Sequence, residues 1–388
     1  MSEPFRVVVL TDHFSPQSSG GVEHVVWEVY RRLAADGVQV LVLTALDRGK
    51  SPFEGLETKS VRIWDLSRVV GAQVGVAPAL FGSVGRAIAA FRPHVLHANG
   101  LHFQTTLAAA LANHDRSVPM VLTSHVAGLD ALQQPTRALT HVYEASFGRY
   151  ILRRCTRIIS IAPSVREHVL ELGVAPGLID DVPNGVDHER FHAAAAPHAD
   201  GPPLLMFVGR HMPNKGPQLF IEALGRLRDM GVPFRAELLS SGPMRPRLEG
   251  RTRALRLEGS VVFRGHVADV AEEMRRADVI VRPSFSEGMP LSLLEAMATR
   301  VSLVVSDIAG NNDLIRDGEN GLLFTSGDTG ALVEKMRRLI DSPELRRSLA
   351  GAAWKEAQQY TWERTAAGTL ESLRRAAAQH ETRQLVTA

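Results

Sequence analysis

Twice along this chain, short runs of β-branched and other apolar residues alternate with segments of helical period, and that alternation restricts the fold more than any other feature. Runs at 6–11, 38–44, 94–98, 120–124 and 158–161 read as strands of a parallel sheet covered by helices on both faces. Between the first two, Val22, Val25, Val26, Val29 and Leu33 recur at helical spacing, so the opening unit is βαβ. A second series follows, with strands at 204–208, 236–239, 261–263, 279–282 and 303–306 and helices near 217–230, 268–276 and 291–298. From 329 to about 380 the chain is helical by period. The expected architecture is α/β, two doubly wound Rossmann-like domains. The Ala-, His- and Pro-rich stretch 192–203 marks the linker between them. The domains are set at 1–195 and 196–365, with a terminal helix at 366–388 that folds back on the first.

A chain of 388 residues needs two such cores, since single cores stop growing near roughly 250–300 residues. Lys plus Arg number 44 against 42 Asp plus Glu, which gives no global field for nucleic acid. Only five of those basic residues are lysines, which draws attention to Lys215. The one cysteine, Cys155, has no internal disulfide partner, and no Cys/His cluster has zinc spacing. With no signal-peptide pattern at the start and no long uncharged apolar run, a cytoplasmic location is expected. Arg149, Arg153, Arg154 and Arg157 read as a basic helical stripe, either a solvated face or a weak peripheral contact with anionic lipid. Trp354, Tyr360 and Trp362 read as packing of the terminal helices. Oligomeric state leaves no mark in the sequence.

In open α/β sheets ligands bind beyond the carboxyl ends of the strands, so the chemistry is expected in a cleft between two such domains. After the strand ending at Val208 comes Gly209-Arg210-His211-Met212-Pro213-Asn214-Lys215-Gly216, then a helix. Backbone amides, a helix dipole and two cations there suit a diphosphate, although the stretch alone also fits a surface turn with solvated charges. The loop from Ser15 to Gly21 bridges the first strand and helix, where a phosphate or sugar loop belongs. It carries neither Gly-x-Gly-x-x-Gly nor the Walker pattern, which removes a dinucleotide or P-loop reading. Glu287 and Glu295 flank a helix start at Gly288-Met289-Pro290-Leu291, placed to hold hydroxyl-rich substrate or simply to open a helix. His97, Asn99 and His102 surround the end of the third strand and are candidates for the acceptor side, as are Asp12, His13 and His24 near the first loop.

These pieces, in this order and spacing, resemble the retaining glycosyltransferases of family 4, whose GT-B fold sets two Rossmann-like domains face to face. The resemblance runs from Gly20-Gly21-Val22-Glu23 through Arg92-Pro93-His94, Thr123-Ser124-His125, Pro183-Asn184-Gly185-Val186-Asp187 and Val208-Gly209-Arg210 with Lys215-Gly216. It continues through Ser241-Gly242-Pro243, Phe263-Arg264-Gly265, the Glu287 and Glu295 pair, Asn320-Gly321-Leu322-Leu323 and Tyr360-Thr361-Trp362. It implies transfer of a hexose or N-acetylhexosamine from a UDP- or GDP-type nucleotide sugar to a hydroxyl of a small molecule, saccharide or lipid-linked acceptor. Arg210 and Lys215 would hold the diphosphate and stabilise the leaving group. Glu295 would hold the ribose, and Glu287 would sit near the donor sugar. Gly209, Arg264 and the Gly288–Leu291 backbone would line the donor. Gly20 and Gly21 would close on the phosphate, and His125 would touch the transferred sugar. Two cations doing the work of a metal, with no Asp-x-Asp in the chain, imply an enzyme that needs no metal or other cofactor. Retention implies same-face attack, the leaving phosphate oxygen helping to deprotonate the acceptor. A nucleotide-sugar epimerase and a non-catalytic sugar-nucleotide-binding relative are the alternatives. The chain departs from the family pattern at Thr299-Arg300-Val301-Ser302, where a helix-ending Gly and a Pro are usual, and at Ala309-Gly310-Asn311-Asn312-Asp313.

Overall fold

The computed structural model describes residues 3–12, 21–45, 56–61, 64–65, 75–127, 136–193 and 201–387. Gly20, His13, the rest of the Ser15–Gly20 loop and the centre of the expected linker lie outside them.

The chain divides into two compact units, Met1–Gly185 with Trp362–Ala388, and Val186–Thr361. In the first, strands β1 (Arg6–Asp12), β2 (Gln39–Ala45), β3 (Glu57–Val61), β6 (Val95–Asn99), β7 (Met120–Ser124), β8 (Arg157–Ser160) and β9 (Ile179–Asp181) form one sheet. Two-residue strands β4 (Trp64–Asp65) and β5 (Gly75–Val76) pair separately. The large sheet has the order β3-β2-β1-β6-β7-β8-β9 and is parallel throughout. Its central strands are buried on both faces, which is why they read as unbroken apolar runs. Val25, Val26, Val29 and Leu33 are the buried face of the helix Gly21–Ala35.

The second unit holds β10 (Leu204–Val208), β11 (Arg235–Leu239), β12 (Val261–Gly265), β13 (Val279–Arg282), β14 (Ser302–Asp307) and β15 (Leu322–Thr325). Their order, β12-β11-β10-β13-β14-β15, is the doubly wound 3-2-1-4-5-6 arrangement, with its switch point between β10 and β13.

The division at Gly185/Val186 precedes the 195/196 boundary expected from composition. Val186 N–H already donates to Tyr360 O at 3.3 Å, Phe191 is buried, and Arg190 O accepts from Arg275 at 3.1 Å, so this segment is bonded into the second unit before the Ala-rich stretch begins. The last helix opens at Trp362 rather than 366 and runs to Thr387 in the first unit. Trp362 is 2% exposed and meets His24 edge-on, while Ser372 and Arg375 donate to Asp180 at 2.7 and 2.8 Å. No helix among the described residues is long and apolar enough to cross a membrane.

The helix Leu291–Ala298 ends without its expected glycine. Arg300 itself takes the left-handed conformation, φ 60, with Arg300 N–H donating to Met297 O at 3.1 Å and Val301 N–H to Ala296 O at 3.5 Å. This is a Schellman ending with arginine where glycine is usual. The guanidinium lies 6.0 Å from the centre of the Trp354 ring, and Ser302, in place of proline, donates to Asp278 O at 2.7 Å. Left-handed backbone costs a side-chain-bearing residue roughly 1–2 kcal/mol. Arg300→Gly is therefore expected to stabilise the second unit by up to about 1 kcal/mol, and Arg300→Ala to destabilise it, since alanine keeps the strain and loses Trp354. Urea unfolding of the two variants checks the opposite signs.

Candidate active site

The switch point of the second sheet gathers the chemistry. β10 delivers Gly209 and Arg210, and the turn Pro213–Lys215 follows. Gly216 closes that turn with φ 71, and a Cβ there would fall 1.9 Å from Pro283 O, so only glycine lets the turn lie against the end of β13. Phe285 N–H donates to Asn214 O at 2.8 Å and fixes the same approach. Lys215 is thereby carried to the loop that follows β13.

There Glu287 is the hub. Its Oε2 accepts from Lys215 Nζ at 2.7 Å, and its Oε1 accepts from Arg282 Nη2 at 2.8 Å and from Ser284 Oγ at 2.9 Å. The Glu287 and Arg282 side chains are 8% and 5% exposed. Burial works against the charged carboxylate, yet Lys215 and Arg282 outweigh it and hold the Glu287 pKa below the ordinary glutamate value. Arg282 also donates to Ser292 Oγ and, at 3.3 Å, to Val208 O, tying together both strand ends and the helix start. Gly310 packs beneath this loop, where a Cβ would fall 1.8 Å from Gly288 O. The one glycine of the 309–313 segment thus has a steric duty that Ala309 does not share.

The helix Leu291–Ala298 starts at Pro290 with no side-chain cap, so its first amides face the loop without an internal acceptor. Met289 is buried beside them. Glu295, one turn on, has its pKa raised to about 7 by burial, which the charges of Arg190 and Arg282 only partly offset. Arg210 makes no ion pair among the described residues, in contrast to Lys215.

Arg264 is not brought into this group. It lies on β12 at the edge of the sheet, where its Nη2 donates to Glu273 at 3.0 Å and its Nε is 3.9 Å from Glu237. These carboxylates satisfy the charge that the sequence reading assigned to the donor. Conversely, sequence reasoning missed Arg282 and Ser284. Their only signal is an arginine closing an otherwise apolar strand, followed two residues later by serine.

In the first unit, His125 follows β7. Its Nε2 is buried without a hydrogen-bond partner among the described residues, and burial lowers its pKa to about 4, so the ring is neutral at pH 7. His97 needs correction as an acceptor-side residue. It lies within β6, 2% exposed, with Nδ1 bonded to the Tyr30 hydroxyl and Nε2 2.8 Å from Thr123 Oγ1. Burial, reinforced by His125, lowers its pKa to about 3, and both nitrogens are already used within the core. Asn99 is also buried, and its Nδ2 donates to Leu10 O at 3.4 Å across the sheet. His102 stays partly exposed and bonds Glu144 Oε1 at 3.0 Å, an oxygen that His168 also approaches at 3.1 Å. Asp12 caps the helix Gln104–Ala112 by accepting from Gln104 and Thr105 N–H at 2.9 and 3.1 Å. Gly21 opens the first helix and is exposed. Arg157 leaves the supposed basic stripe, since it lies in β8 and is buried against Asp180 at 2.5 and 2.6 Å.

Comparison with known proteins adds the following. Residues 19–190 match the family model described as Glycosyltransferase Family 4, and 202–342 the one described as Glycosyl transferases group 1. D-inositol 3-phosphate glycosyltransferase of Frankia alni is 29% identical over 92% of this chain and 95% of its own. Glycogen synthase of Mycobacterium tuberculosis is 26% identical over 94% of each. Among solved structures, sucrose-phosphate synthase of Thermosynechococcus elongatus superposes with a TM-score of 0.79 at 21% identity, covering 97% of this chain and all of that one. HepE of Anabaena, solved with UDP and glucose, gives 0.76 at 18%, covering 95% and 99%.

Proposed function

Since the chain belongs to glycosyltransferase family 4 and has its GT-B fold, we propose that it moves a hexose or N-acetylhexosamine, with retention, from a UDP- or GDP-type nucleotide sugar to a hydroxyl acceptor. The observation that carries this reading is the charge balance at the switch point. Lys215 and Arg282 close on one ionised carboxylate, Glu287, Arg210 follows β10 with no ion pair among the described residues, and burial raises the Glu295 pKa to about 7. Three cations against one carboxylate and a partly protonated second leave a net positive charge that suits a diphosphate ester, and the uncapped amides that follow Pro290 supply further donors.

In this reading Arg210 and Lys215 hold the diphosphate and take up the charge of the leaving group as the glycosidic bond breaks. Glu287 keeps Lys215 and Arg282 in place beside the donor sugar. The neutral His125 offers its free Nε2 to a sugar hydroxyl, and no metal is required because the cations stand where one would act. The leaving phosphate oxygen accepts the acceptor proton on the face from which it departs.

A thermal-shift titration with UDP, GDP and ADP, with and without EDTA, tests the donor site. At 100 times its dissociation constant a ligand stabilises by about 2.7 kcal/mol. One nucleoside diphosphate is expected to raise Tm with EDTA present, and silence from all of them would overturn the reading. Release of that diphosphate from its sugars, with inositol phosphate and glucans heading the acceptor panel, then separates transfer from epimerisation or mere binding. The anomeric configuration of the product, read by NMR, tests retention.

Glu295 gives a pH signature. As a ribose ligand it accepts hydrogen bonds as a carboxylate, so nucleoside diphosphate affinity is expected to rise as pH climbs through about 7. Its own contribution to stability has the opposite sign, because the folded protein binds the extra proton between the ordinary glutamate value and 7, and stability falls across that window. Calorimetry of Glu295→Gln is expected to show both dependences lost, and a pH-independent affinity in the parent protein would remove the ribose role.

A further inference from the structure

We propose that the first unit carries a second anion site, for a phosphate or diphosphate group, at the end of its sheet opposite the strand ends that bear His125. A surface cavity of about 210 Å³ opens there, several times the roughly 30 Å³ that a water molecule takes up in the liquid. Arg116 and Thr156 stand just before β7 and β8, Arg153 and Arg154 come from the turn that follows the helix Arg149–Leu152, and His380 and Arg383 come from the last helix. Four guanidinium groups therefore line one cavity, and among its described lining residues none is acidic.

The cations are built in rather than scattered. Arg116 is held in left-handed backbone, φ 57, and its Nη2 donates to Arg153 O at 3.1 Å. The Arg154 guanidinium stacks 3.6 Å from the centre of the Tyr150 ring, and its buried Nε has no hydrogen-bond partner among the described residues. Arg116, Arg153 and Arg154 pair with no carboxylate among the described residues. The neighbouring acids are used elsewhere: Asp115 accepts from Ser117 N–H at 3.1 Å, and Asp180 is taken by Arg157, Ser372 and Arg375. Arg116, Arg153 and Arg154, gathered without a carboxylate among the described residues, repel one another, and a tetrahedral phosphoryl dianion, whose oxygens accept in pairs from planar guanidiniums, is the group they match. The cavity is separate from the switch-point cations, which belong to the other unit.

The test uses the full chain carrying Arg210→Ala and Lys215→Ala, so that the proposed donor site does not compete. Titration calorimetry with inorganic pyrophosphate is expected to give saturable binding. Arg116→Gln and Arg153→Gln, both at exposed positions, are each expected to weaken it at least tenfold, with little change in the Tm of the free protein. Co-sedimentation with phosphatidylcholine vesicles containing phosphatidic acid runs beside it. Vesicle capture lost in Arg153→Gln, without pyrophosphate heat, supports the site with a lipid headgroup as its phosphate source. Pyrophosphate binding untouched by both substitutions, or no binding of either probe, overturns the proposal.

Discussion

Lys215→Ala is expected to lower turnover by about 10²–10³, the scale of removing one preorganised donor aimed at developing charge. The lysine sits on a turn that Gly216 and the Asn214–Phe285 hydrogen bond press against β13, so its Nζ is delivered rather than left to swing from the surface. Its 2.7 Å bond to Glu287 holds it ready at little entropic cost when a diphosphate arrives. Steady-state kinetics with the donor found by thermal shift decide the matter. The loss should appear mainly in kcat, because the charge on the leaving group grows only as the bond breaks. Arg282 is intact in this variant, so the fold should persist. Turnover within twofold of the parent would remove Lys215 from the site.

Glu287→Ala is expected to be the most damaging single change to stability. It strips the carboxylate from between two cations, one of them nearly fully buried, and breaking one partner out of such a pair costs about 3–5 kcal/mol. For a unit of this size that corresponds to a fall in Tm of roughly 6–20 °C. Glu287→Gln separates charge from shape: the amide oxygen still accepts from Arg282 or Ser284, so stability should fall less while nucleotide binding is disturbed. A Tm for Glu287→Ala within a degree or two of the parent would mean that Arg282 and Lys215 find other partners.

The sheet was legible wherever strands are buried on both faces, because 6–12, 120–124, 204–208 and 279–282 can be apolar only for that reason. Strand 57–61, Glu-Thr-Lys-Ser-Val, escaped notice as an edge strand with mostly exposed side chains and no apolar run. Glu287 and Lys215 were legible through a family resemblance that fixes their spacing. Arg282 was not, because an arginine after Val-Ile-Val reads as the end of a strand until the loop that follows turns Glu287 back onto it. His97 misled in the other direction. Near a strand end its ring suggests a ligand contact, and only the position of Tyr30, on a helix far away in sequence, shows that it faces the core. Local pattern reports periodicity and turn chemistry, whereas pairings across the sheet depend on register.

The return of the last helix to the first unit bears on how the protein is made. A ribosome releases residues 1–185 long before 362–387, and the second unit is synthesised in between. At roughly 5–20 residues per second the wait lasts about 10–35 s. Through that interval the nascent first sheet lacks Trp362, Leu373 and Ala376, and the surface they will cover stays open to solvent. The second unit is contiguous and its two ends meet at Val186 and Tyr360, so it has everything it needs to fold first. Synthesis of this chain thus runs against the usual order, with the amino-terminal half finished last.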